Sequence, residues 1–208
     1  KSFAQLRAVR SGIDPHGVLT MTIVLRPDRY LSDAQVVAFW HDLARRVAAI
    51  PGAMNTGAIS VLPFAGELGC TTVFAVDSPL DPSQHARCVK TITVAPGYFA
   101  TMGIPVEGEA PGWAENESGA GTMVVSRKLA SELWPGESAI GHTLVIEMRR
   151  RLAFRITGIA ADVRANGLDQ PPIDAAYGPI AAPATAGQSP NTDLDGNYLS
   201  FLVRTTKD

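Results

Sequence analysis

The sequence predicts a mixed α+β fold built around one sizeable core. Three observations carry that expectation. Several short runs are rich in β-branched and apolar residues, one long run has helical periodicity, and turn-forming Gly and Pro punctuate the chain between them. With 208 residues, 46% of them hydrophobic and 18% charged, the chain has enough apolar surface to bury a core. Gly (19) and Pro (15) are scattered rather than clustered, so they mark turns, not a low-complexity segment.

The elements follow in order. "GVLTMTIVL" (17–25) reads as a buried strand. "SDAQ" then places Ser32 as N-cap with Gln35 at the third helical position, a capping-box pattern. Val36, Trp40, Leu43, Val47 and Ile50 recur at helical spacing, and Pro51-Gly52 stops the helix. "TGAISVLPF" (56–64) is a second strand that completes a β-α-β unit. "TTVFAV" (71–76) and "CVKTITVA" (88–95) form a hairpin-like pair across "DSPLDPSQHAR".

A Gly/Pro/acid-rich loop, "EGEAPGWAENESGAG" (107–121), precedes the short strand "TMVVS" and the helix "SRKLASELW", which Pro135-Gly136 ends. "HTLVIEM" and "RLAFRITGIAADVRA" are two further strands, "PATAGQSPNTDLDGN" is a polar loop, and "YLSFLVRTT" is a last strand. The sum is about eight strands and three short helices.

Charge and motifs exclude several function classes. Eighteen Lys and Arg against 20 Asp and Glu give a net charge of −2, with no basic surplus for nucleic acid. No apolar run approaches the roughly 18 residues that cross a bilayer as a helix. The P-loop, the G-x-G-x-x-G turn, the G-x-S-x-G elbow and H-E-x-x-H are all missing. His16, His41, His85 and His142 are far apart and read as surface or turn residues. No catalytic, cofactor-binding or metal-ligating residue is predicted.

"NTDLDGNYLSFL" imitates a calcium loop at Asn191, Asp193, Asp195 and Gly196. Its twelfth position is Leu202 instead of Glu, so a solvated loop with Asx turns is the better reading. Asp162 and Arg164, two apart on an expected strand, read as an ion pair on one face. Lys128 and Glu132 read as a pair one helical turn apart.

Two features are candidate sites. Cys70 and Cys88 are the two cysteines of the chain. A tight turn near Pro79 sets them face to face, where a bridge closing about 19 residues contributes about 3 kcal/mol. If 77–87 is all loop, Cys88 falls opposite Val76 and the pair stays as buried thiols. The stretch "VAPGYFATMGIPV" (94–106) reads as a structural joint. A strand ends at Pro96-Gly97, a single helical turn follows with Tyr98, Phe99 and Met102, and Gly103 supplies a left-handed exit.

The order of segments carries a resemblance over nearly the whole chain. "SFAQLRAVRSGIDPHGVLTMTIVL", the helix ending "RVAAIPG", "ITVAPGYFATMGIPV", "VVSRKLASELWPGESAIGHTLVI" and "RITGIAADVRANGLDQPPIDAAYGPI" together resemble the MacB-like periplasmic core domain of ABC-transporter permeases of the FtsX/MacB superfamily. More narrowly they resemble the duplicated permeases of acidobacteria and their relatives.

The resemblance implies a Porter-like β-α-β lobe and an inserted α+β Sabre-like lobe. Residues 1–64 would be the first Porter half, 65–185 the insert with its connections, and 186–208 the start of a second Porter half. Relatives continue beyond that point into a helix and a strand, so an open edge or an exposed apolar face is expected here. The segment "VEGEAPGW" departs from the Arg-Phe-type segment that relatives often carry after "GIP".

The implied function is non-catalytic. An extracytoplasmic domain between two transmembrane helices of a bacterial inner-membrane permease would work with a separate ABC ATPase. It would couple ATPase-driven motion to export or to a periplasmic protein partner, and it would be a monomer in isolation. The alternative is a periplasmic module that binds a small molecule or recruits a partner without transport.

Overall fold

The computed structural model describes residues 9–66, 69–80, 85–148, 151–181 and 196–206. Its ten strands belong to one continuous sheet with two differently built parts.

The first part is open. Strand β1 (Val18–Val24) leads to helix α1 (Asp33–Ala48), which leads to β2 (Ala53–Ile59). The last strand, β10 (Tyr198–Thr205), lies between β1 and β2 and is antiparallel to both. Helix α1 starts where its sequence says it should. The Ser32 hydroxyl accepts the Gln35 N–H at 3.3 Å, although the Gln35 side chain reaches back to the Leu31 N–H (2.7 Å) rather than to Ser32. Val36, Val37, Trp40 and Ala44 form its buried stripe and pack on Ala58, Leu199 and Phe201 of the sheet. The Trp40 indole N–H donates to the Gly196 carbonyl at 2.8 Å, so burial of this ring leaves no polar atom stranded. Ile50, expected on the same stripe, lies past the helix end and is 56% exposed.

The second part is closed. Strands β3 (Thr71–Ala75), β4 (Ala86–Ala95), β6 (Thr122–Ser126), β7 (Thr143–Glu147), β8 (Arg151–Ala160) and β9 (Ala175–Gly178) pair in the circuit β4-β3-β7-β8-β6-β9 and back to β4. Each strand of this ring therefore has a neighbour on both sides. Side chains from all six strands meet inside, among them Val73, Val89, Met123, Leu144, Phe154 and Ala176. Helix α4 (Arg127–Leu133) adds Leu129 and Leu133, with Trp134 just beyond its end. The Ser126 hydroxyl caps α4 by accepting the Leu129 N–H at 3.3 Å.

Strand β4 joins the two parts. Most of its length pairs within the ring, and its last residues, Val94 and Ala95, pair with Ile59 and Ala58 of β2. One core cluster spans the junction and combines Ile59 and Leu202 of the open part with Ile92, Val124 and Tyr177 of the ring.

The structure departs from the sequence expectation in several places, beginning with β1, which is expected to be buried and is mostly exposed. Strand β5 (Val106–Gly108), which pairs with β8, and β9 are additional strands. Helix α3 (Trp113–Ser118) lies inside the segment expected to be loop. Strand β8 stops at Ala160, so Asp162 and Arg164 share no strand. The Asp162 carboxylate instead accepts the backbone N–H of Lys128 at 2.8 Å, and the Arg164 guanidinium donates to the Gln170 carbonyl. Of the calcium-loop look-alike, Asn191, Asp193 and Asp195 lie outside the described residues, and its second half enters β10.

Candidate functional site

The stretch from β4 into α2 (Tyr98–Thr101) occupies the junction between ring and open sheet. The chain leaves β4 through Pro96 and Gly97, and Gly97 adopts φ 87°, a left-handed conformation that favours glycine. A Cβ there would lie 2.1 Å from the Thr56 carbonyl oxygen, and a Cβ on Gly57 would lie 2.6 Å from the Tyr98 Cα. Two glycines on opposite sides of the contact thus let α2 sit directly on the backbone of β2.

The four joint residues of the sequence expectation are together here. Tyr98, Phe99 and Met102 are 1%, 5% and 4% exposed, and Gly103 leaves the turn at φ 65°. Phe99 meets Tyr98 and Tyr177 edge-on, each at 5.2 Å between ring centres. Burial raises the Tyr98 hydroxyl well above its ordinary ionisation range, with the Tyr177 side chain adding to it. Burial, then the charge of Asp162, does the same to Tyr177. Both phenols are buried in a packed cluster that joins the two surfaces.

Arg204 locks the junction from outside, a role that no motif announced. Its Nε donates to the Thr101 carbonyl at 3.0 Å, Nη2 to the Asp14 carbonyl at 2.6 Å, and Nη1 to the Asp14 carboxylate at 3.1 Å and the His16 carbonyl at 2.9 Å. The side chain is only 15% exposed, in keeping with a fork whose donors are occupied. The Asp14 N–H donates in turn to the Met102 carbonyl at 2.8 Å. One guanidinium therefore ties the segment entering β1, the strand leaving the sheet, and the end of α2. The available signal was a lone cation in the apolar run "YLSFLVRTT", where burial demands partners. Hydrogen bonds from the His16 side chain and backbone, assisted by Arg204, hold the Asp14 carboxyl below its usual range despite some desolvation.

Cys70 and Cys88 are bonded through their sulfurs, with Cα atoms 5.3 Å apart. The register is neither of the two weighed for the hairpin. Cys88 stands opposite Thr72, so Cys70 is its diagonal neighbour on the same face. Near this bridge, burial works against the Lys128 ammonium. Hydrogen bonds to Asp174 and Glu132 outweigh it and raise Lys128 above its ordinary range. These are charges held in pairs, not a free cation facing a ligand.

The other polar side chains are dispersed. Among the described residues no three His, Cys, Asp or Glu side chains are grouped to hold a metal ion. His16 pairs with Asp14, His41 with Glu117, His85 with the Leu80 carbonyl, and His142 stacks on Trp134. No helix among the described residues is long and apolar enough to cross a membrane.

Comparison with known proteins gives a consistent result. No curated protein sequence matches the chain. Among solved structures, the periplasmic region of MacB from Actinobacillus actinomycetemcomitans is similar over 98% of this chain and 81% of that one, with TM-score 0.55 and 12% identity. The extracellular domain of the noncanonic ABC-type transporter YknZ from Gram-positive bacteria is similar over 91% of this chain and 84% of that one, with TM-score 0.50 and 12% identity. At such identities the likeness speaks for the fold. The family model for the MacB-like periplasmic core domain matches residues 7–208. The α+β architecture and the match over almost the whole sequence lead to one conclusion: the chain belongs to the family of MacB-like periplasmic core domains, the extracytoplasmic domains of MacB/FtsX-like ABC-transporter permeases.

Proposed function

We propose that this domain is a non-catalytic transmission element. In this reading a separate ABC ATPase drives the transmembrane helices of the parent permease, and the domain carries their motion to export or to a periplasmic protein partner. The observation that carries the reading is the Arg204 staple. A load applied where the chain enters β1 or along β10 meets the partly buried guanidinium of Arg204. That group is carried on β10 and bonded to the segment entering β1 and to Thr101 of the junction. The shared core behind α2 then passes the load to the closed ring.

The same reading assigns the open part to a Porter-like lobe and the ring to the inserted Sabre-like lobe. Support comes from topology: β10 lies between β1 and β2 and antiparallel to both, the pattern of a split β-α-β unit. The side of β1 that faces α1 carries Leu19 and Met21, which are 65% and 55% exposed. Leu19 lines a groove with Val47, Ile50, Pro51 and Val203, a surface suited to cover from a further part of the permease.

The test uses the full permease with its ATPase, reconstituted in vesicles. Arg204→Ala is expected to keep ATP hydrolysis within about twofold of wild type while export per ATP falls about tenfold or more, by loss of several charge-assisted hydrogen bonds. Export per ATP equal to wild type would remove the transmission reading.

A further inference from the structure

The segment between β5 and β6 leaves the ring and returns to it at almost the same place. The Glu109 N–H donates to the Thr157 carbonyl at 2.9 Å, and the Gly121 carbonyl accepts the Arg155 N–H at 2.8 Å, so both feet stand on β8. Residues 110–120 reach away between these feet and dock on α1 in the open part of the molecule. Close ends around a self-packed excursion are the signature of an Ω-loop.

Its head is built to hold shape by itself. The Gly112 N–H donates to the Glu115 carboxylate at 3.0 Å, and the Asn116 amide donates to the Gly112 carbonyl at 2.9 Å. Its seat is a small set of side chains. Trp113 stacks on His41 of α1 with ring centres 4.6 Å apart and planes 6° from parallel. The Glu117 carboxylate lies 2.7 Å from His41 Nδ1. Asn116, 2% exposed, accepts the Ile180 N–H at 2.9 Å. Underneath, Ala110 and Pro111 close a narrow apolar crevice over Phe99 and Tyr177.

We propose that residues 110–120 are a releasable strap: they lift off α1 as a unit, without breaking the ring, and uncover the Phe99–Tyr177 cluster of the junction. The feet can stay bonded to β8 while every contact of the seat is broken, because the two sets of contacts share no residue. Local opening below the cost of global unfolding is the physical meaning of such a unit. The strap would control whether the junction is clamped from one side or from two, which goes beyond the transmission reading and does not depend on it.

Hydrogen exchange of the isolated chain at single-amide resolution tests this, with an apolar dye (anilinonaphthalene sulfonate) as a second readout. In the wild type, the Ile180 amide, bonded across the seat to Asn116, reports strap exchange and is expected to exchange well before the amides of β6 and β8. Trp113→Ala should accelerate Ile180 about tenfold or more through loss of the stacked pair and its packing, and raise dye fluorescence, with β6 and β8 unchanged. Glu117→Gln, an exposed change that leaves the core intact, should give the same pattern at about two- to fivefold. Exchange of the strap at the ring's own rate, or a variant that accelerates strap and ring together, would show one cooperative unit and overturn the proposal. Unchanged strap exchange in both variants would overturn it equally.

Discussion

The ring and the open sheet solve the same problem in opposite ways. A β-strand at an edge offers unpaired backbone groups to any passing strand. The ring removes the problem by closure, since each of its six strands pairs on both sides. The open sheet does not: among the described residues β1 pairs with β10 alone, and its seven residues, VLTMTIV, carry no charge and no proline. The ring's core and the edge strand differ in step. Met123, Leu144 and Phe154 inside the ring are 0% exposed, whereas Leu19, Met21 and Val24 on β1 are more than half exposed. A surface without the usual protection of an edge strand is one that the intact protein has reason to keep available. In the proposed transmission reading, the closed part would be the body that is moved and the open part the place where the moving machinery takes hold.

Four experiments break or sharpen that contrast. The largest effect is expected where closure has been bought with dense packing: Phe154→Ala in the ring should cost about 3–5 kcal/mol, and Phe99→Ala at the junction a similar amount. Thermal or urea unfolding of the isolated chain measures both, and a neutral Phe99→Ala would mean that the junction is not a packed joint. Next comes the bridge, which closes a separation of 18 residues within the ring. Reduction, or replacing both cysteines by serine, should lower stability by about 3 kcal/mol in the chain-entropy picture. A much smaller loss would assign the ring's stability to packing alone.

On β1 the expectation reverses. Met21→Ser should change stability of the isolated chain by no more than about 0.5 kcal/mol, since the side chain is already more than half in water. A loss of several times that would reveal a cover in solution. The smallest effect belongs to Asp14. Its folded pKa is lowered, so its contribution to stability is present above the ordinary carboxylate range and disappears as pH falls through the lowered value. The melting temperatures of wild type and Asp14→Asn should differ at neutral pH and converge as pH falls through the lowered value; a constant difference would mean that the charge plays no part.

How much of this was legible in the sequence depends on the range of the forces involved. Helix α1 could be read because Ser32, the Trp40 stripe and Pro51 are local signals that agree. The turn at Tyr98–Phe99–Met102 could be read because Pro96-Gly97 and Gly103 mark its two ends. Strand β9 could not: Ala175–Gly178 has no alternation, and all four residues are buried between β4 and β6, so long-range neighbours alone make it a strand. Helix α3 hid in a Gly-rich, acidic stretch because its start is stabilised by Glu115 folding back onto Gly112 rather than by a Ser, Thr or Asp. Asp162 was misplaced on a strand because its real partner, the Lys128 N–H, is 34 residues away. Ring closure and the Arg204 staple, which joins positions 190 apart, lie on the same side of that divide. The family resemblance reached further than the local signals because it compares the order of many segments at once.

The central claim is that the ring is self-sufficient while the open sheet is the face on which the rest of the permease acts. Hydrogen exchange of β1 and α1, compared between the isolated chain and the same residues within the intact permease, tests it most directly. Protection of β1 and of the α1 end near Ile50 should rise by about tenfold or more in the intact protein, with the ring strands unchanged. Equal protection of β1 in the two settings, or a change confined to the ring, would contradict it.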